Sequence, residues 1–69
     1  SYKLVQAIRA ADSKLIGVRL GLACIESNIP VSDVAEAFNV SRMTVYSWFT
    51  GVSKPHAKKA ALIEKFLSS

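Results

Sequence analysis

Very little in this sequence can act as a staple. Its 69 residues include one cysteine, one histidine, two prolines and three glycines. With Cys24 alone no internal disulfide can form, and one cysteine beside one histidine cannot complete a tetrahedral metal site within a single chain. Cys24 lies in an apolar context and reads as a small buried hydrophobe. No metal and no cofactor is expected. Acidic side chains are scarce too, five against nine Lys and Arg, and they are dispersed. No nucleophile stands with a base and no glycine-rich loop cradles phosphate, which argues against an enzyme. Long apolar runs are also missing: Lys, Arg, Asp or Gly interrupts them every few residues, so no membrane span is expected, and no charged-then-apolar leader ends in a cleavage site. These absences lead us to expect a soluble, intracellular protein without an evident small-molecule pocket.

What is present is packing material. Hydrophobic residues make up 51% of the chain and charged residues 20%. That is enough to build a core by packing alone in one domain spanning residues 1–69, close to the lower size for folding without cross-links. The net charge of +4 and sequence pI near 9.6 favour an anionic partner.

Periodicity predicts helices throughout. Leu4, Ile8 and Ala11 recur at i, i+4 and i+7, so Tyr2 to Ala11 should form a short helix. Asp12 or Ser13 can cap the next one, expected from Lys14 to Ser27, with Leu15, Val18, Leu22 and Ile25 on one stripe and Ile16, Leu20 and Ala23 on another. Gly17 to Leu22 also alternates as a strand would, and each glycine costs a helix about 1 kcal/mol relative to alanine. The length of the run, its continuation through Glu26 and the lack of a hairpin partner favour the helix. Asn28, Ile29 and Pro30 end it. Ser32 or Asp33 is expected to cap the following helix, whose inward face is Val34, Ala35 and Phe38, with Asp33 and Glu36 at its positive end. Asn39 tolerates the left-handed conformation that closes a helix. Ser41 then caps a helix from Arg42 to Thr50, ended by Gly51. After a loop bearing Lys54, a last helix should start near Pro55 or His56 and run to about Leu67. Its Ala60, Ile63 and Leu67 face the core, leaving Leu62 and Phe66 to one side.

The stretch from Val31 to Lys54 carries the chemistry. Val45, Trp48 and Phe49 repeat at i, i+3 and i+4 and point inward, while Met43, Tyr46, Ser47 and Thr50 fall on the opposite face. That outward face has no carboxylate, opens on Arg42 and is followed by Lys54, a pattern suited to a polyanion. From Ile16 to Pro55 the chain resembles, without gaps, the Cro and phage-repressor (CI-like) type of helix-turn-helix. The matching positions are Ile16, Gly17, Arg19 and Leu20, then Val34 and Ala35, Val40 and Ser41, Val45 and Trp48, and finally Gly51 and Pro55. Ala35 must be small where two helices cross closely, and Val45 and Trp48 anchor the second helix so that its other face stands clear. The chain departs from the family at Asn39, where glycine is usual, at Cys24, where many members carry arginine, and at Pro30 and Val31, where a polar residue often caps the first motif helix.

The resemblance implies an all-α fold, a compact bundle of about five short helices with the motif at residues 31–51, as in lambda-repressor-like DNA-binding domains. It implies a small sequence-specific transcriptional regulator, a phage-type repressor in the cytoplasm of a bacterial or phage-infected host cell, reading double-stranded operator DNA with the helix at 42–50 in the major groove. Carried across, base contacts fall to Arg42, Met43, Tyr46 and Ser47. Arg42 suits guanine O6 and N7, and Met43 or Tyr46 a thymine methyl. Phosphate contacts fall to Ser41, Thr44, Lys54 and Lys58. His56 and Lys59 read more plainly as surface groups. Family members commonly act as symmetric dimers, which makes Leu62 and Phe66 a candidate homodimer interface, unless Leu4 and Ile8 of the first helix cover them. The alternative function is an antitoxin-like or adaptor-like interaction module that docks a protein through Met43, Tyr46 and Leu62 without sequence-specific DNA readout.

Overall fold

A computed structural model describes residues 2–68. Five helices follow one another: α1 (Tyr2–Ala10), α2 (Ile16–Glu26), α3 (Val31–Phe38), α4 (Arg42–Phe49) and α5 (Ala57–Ser68). The fold is all-helical, as expected, and no helix among the described residues is long and apolar enough to cross a membrane.

α1 buries Ile8 and tucks Leu4 against the core. The chain then turns on Asp12, whose Oδ1 accepts the Lys14 amide at 2.9 Å while its carbonyl accepts the Leu15 amide at 3.1 Å. This corrects the expected start of α2. A side chain spent closing its own turn is not free to cap a helix, so α2 begins at Ile16 behind an extended Leu15 with no side-chain cap.

α2 is helical through the stretch that also alternates like a strand, and its most deeply buried line runs through Gly17, Val18, Leu20, Gly21 and Cys24. The larger residues of the two expected stripes divide differently: Leu15, Ile16, Leu22 and Ile25 are only partly buried. The reason is a close helix approach. A Cβ at Gly17 would lie 2.5 Å from the Trp48 carbonyl oxygen, so the α2 backbone rests directly on α4. The glycine that weakens the helix locally is what lets α4 dock there.

α3 starts two to three residues earlier than its polar residues suggested. Pro30, extended at φ −65° and ψ 150°, takes the cap position in place of Ser32 or Asp33, and its carbonyl accepts the amides of Asp33 and Val34 at 3.1 and 3.2 Å. Proline's fixed φ suits that entry, and Asp33 is left inside the first turn, where its charge meets the positive helix end. α5 begins after His56, whose carbonyl accepts the Ala60 amide at 2.8 Å. Ile63 is fully buried, with Ala60 and Leu67 partly buried on the same side, as the spacing predicts. An exposed ion pair between Arg19 and Glu64, at 3.1 Å, ties α2 to α5.

Candidate nucleic-acid interface

α3 and α4 are joined by three residues, Asn39, Val40 and Ser41. Asn39 takes the left-handed conformation, φ 56° and ψ 50°. Its amide donates to the Glu36 carbonyl at 3.2 Å, and the Val40 amide to the Ala35 carbonyl at 2.9 Å. This paired closure satisfies the last carbonyls of α3 and turns the chain sharply enough to start a second helix at once. The expected role of Asn39 is therefore the observed one.

Ser41 caps α4: its Oγ accepts the Thr44 amide at 3.1 Å and lies 3.0 Å from the Thr44 Oγ1. Two hydroxyls sharing one mutual bond leave one hydroxyl proton to donate outward. At the other end, the Thr50 hydroxyl donates to the Tyr46 carbonyl at 2.7 Å. Gly51, at φ 79°, then closes the helix, and the Val52 amide donates to the Ser47 carbonyl at 2.9 Å.

The inner face of α4 is held by Val45, Trp48 and Phe49, all buried. Phe38 of α3 meets Trp48 edge-on at 6.4 Å between ring centres and Phe66 of α5 edge-on at 6.3 Å, an aromatic chain that joins α3, α4 and α5. Lys59 completes it. Its Nζ donates to the Phe38 carbonyl at 2.6 Å, bringing a positive charge to the negative end of α3, which has no basic residue of its own in its last turn.

The outer face is bare. Arg42, Met43 and Tyr46 are exposed and Ser47 is half-buried. Met43 is 76% exposed and Tyr46 42%. Among the described residues, none of these four side chains makes a hydrogen bond or ion pair, and Arg19 is the one cation in an ion pair. Lys54 is exposed in the loop after α4 and Lys58 in the first turn of α5. Two residues with a part in this surface escape the periodicity argument. Lys59 turns inward, a placement hinted at only by its position four residues before buried Ile63. Val52, 79% exposed, lies beyond Gly51, where helical spacing no longer says which way a side chain points.

Away from this surface, Cys24 is 2% exposed and burial pushes its thiol up to about 11, consistent with a packing role. It borders an apolar cavity of about 310 Å³ between α1, α2 and the α2–α3 turn, lined in part by Leu4, Ile8, Ile25 and Phe49. The sequence offered no sign of this space. Among the described residues no cluster of His, Cys, Asp and Glu could hold a metal ion.

Two short helices closed tightly on each other, the first braced against the core and the second presenting a bare face, define a helix-turn-helix protein. Residues 22–68 match the Helix-turn-helix family, and the chain belongs to that family, the Cro/C1 type, whose members bind DNA and are not typically enzymes. No curated protein and no solved structure matches the chain.

Proposed function

We propose that this protein is a small sequence-specific regulator of transcription, a phage-type repressor that lays α4 in the major groove of operator DNA and binds two half-sites as a homodimer in the cytoplasm of a bacterial or phage-infected cell. The observation that carries the reading is the outer face of α4. The side chains of Arg42, Met43, Tyr46 and Ser47 make no hydrogen bond or ion pair among the described residues, the face holds no carboxylate, and Arg42 stands at the helix start, where a positive charge is unfavourable to the helix dipole itself. Arg42 pairs with guanine, Met43 or Tyr46 meets a thymine methyl, and Ser47 adds a hydroxyl one turn deeper. The hydroxyl proton left over from the Ser41 and Thr44 pair goes to a phosphate, and Lys54 and Lys58 neutralise backbone charge.

A binding selection on random-sequence duplexes tests this. Recovery of a palindromic sequence, bound with an affinity that falls steeply as salt rises, is the expected outcome. Absence of any enriched sequence would remove the reading. The exposure of Met43 and Leu62, 76% and 49%, favours one competitor, a protein-docking module. Apolar docking would leave the interaction little changed between low and high salt.

A further inference from the structure

Three helices of this chain end in the same way. Asn28, Asn39 and Gly51 each adopt a positive φ of 56°, 56° and 79°. The amide of the next residue then reaches back to the helix: Ile29 to the Cys24 carbonyl, Val40 to the Ala35 carbonyl and Val52 to the Ser47 carbonyl, each at 2.9 Å. In this closure the residue after the left-handed one ordinarily packs its apolar side chain on the residue that accepts its amide. Ile29 and Val40 turn inward in this way and are partly buried against the core, which includes Cys24 and Ala35. Val52 does not. Its counterpart is Ser47, a polar residue on the outer side of α4, and Val52 stays 79% exposed. The third closure thus leaves an aliphatic side chain exposed directly after α4, one residue past Gly51 and two before Lys54.

From Ser41 to Lys54 there is no Asn or Gln, the side chains that bond adenine N6 and N7, and no Asp or Glu to accept from cytosine N4. Arg42 can read guanine. Of the remaining large exposed groups, Met43 and Val52 are wholly apolar, while Tyr46 is an apolar ring that ends in a hydroxyl. In the major groove the one apolar feature of a base pair is the thymine C5 methyl.

We propose that Val52 is a specificity-determining residue and that Met43 and Val52 read A·T pairs through thymine methyl groups, so that the operator pairs an arginine-read guanine with methyl-read thymines in each half-site. This rests on the DNA-binding reading above and says which chemical feature of the DNA that surface recognises. The charge around it fits this partner, because Arg42 and Lys54 flank the apolar groups and no acidic side chain lies between them in sequence. Burying one methyl corresponds to about fourfold in affinity.

The test uses the full chain and the duplex recovered from the random-sequence selection, resynthesised with deoxyuridine replacing thymidine one position at a time, which removes the methyl and nothing else. Two positions in each half-site should lose about fourfold in affinity on substitution. Val52→Ala should bind the thymine duplex about fourfold more weakly and be indifferent to uracil at one of those positions, with Met43→Ala indifferent at the other. Both residues are exposed, so circular dichroism should show the variants folded as the parent. Uniform tolerance of uracil by the parent chain would overturn the proposal while leaving sequence-specific binding in place. Retention by Val52→Ala of the parent's full uracil sensitivity, or recovery of half-sites without thymine, would overturn it as well. Failure to enrich any sequence would instead take away the DNA-binding reading on which it stands.

Discussion

Lys58 and Lys59 are neighbours in sequence with unlike surroundings. Lys58 is exposed, whereas the Lys59 ammonium donates to the Phe38 carbonyl at the end of α3. Lys59→Met should therefore lower unfolding free energy by about 1 to 2 kcal/mol, because a charge-assisted bond at a helix C-terminus is lost. Lys58→Met should leave stability unchanged and weaken DNA binding without regard to sequence; urea titration and DNA titration of both variants separate the roles. Arg42 and Lys54 offer a second contrast. Arg42→Ala should cost about 1 to 3 kcal/mol of binding and relax preference at a single base pair, measured on a panel of single-substituted duplexes. Lys54→Ala should weaken all duplexes alike and lower the salt slope by about one. Unchanged discrimination by Arg42→Ala would mean that a different part of α4 faces the bases.

Elements succeed here through their ends. Asn39 holds a left-handed conformation at the α3 closure, so Asn39→Ala should cost about 1 to 2 kcal/mol in urea unfolding while Asn39→Gly should be tolerated. Gly17→Ala places a methyl against the Trp48 backbone and should destabilise by about 1 to 3 kcal/mol or more, with α4 displaced, visible as a shifted Trp48 fluorescence maximum. The helices themselves were legible in the sequence, because Val34, Phe38, Val45, Trp48 and Ile63 keep helical spacing whatever they pack against. So was the outer face of α4, since no other arrangement buries Val45, Trp48 and Phe49 together. The starts of α2 and α3 were not, because Asp12 and Pro30 satisfy backbone groups in ways that compete with ordinary capping and differ by small energies. The purpose of Gly17 and the inward turn of Lys59 depend on Trp48 and Phe38, partners far away along the chain that local patterns do not register.

At the scale of the whole molecule, the described residues are compact, with a radius of gyration of 10.6 Å, and little core lies beyond reach of any one substitution. Leu62 is 49% exposed and Phe66 41%, although Phe66 also touches Phe38. Leu62 is thus the cleaner probe of the proposed homodimer. Leu62→Glu should leave thermal unfolding of the free protein unchanged and abolish the joint occupancy of two half-sites, read by sedimentation on an operator-length duplex. A parent chain that sediments as a strict monomer on the same duplex would remove the dimer. The molecule also keeps two sets of obligations apart. Everything that fixes the position of α4 lies on its inner side or at its ends: Gly17 beneath Trp48, Phe38 beside it and Ser41 at its start. Arg42, Met43 and Tyr46 are exposed and give that frame no side-chain hydrogen bond or ion pair. Their identities can be exchanged without renegotiating the fold, so this scaffold is open to reprogramming: a new binding preference can arise by drift or by design along one row of positions while the rest of the chain stands still.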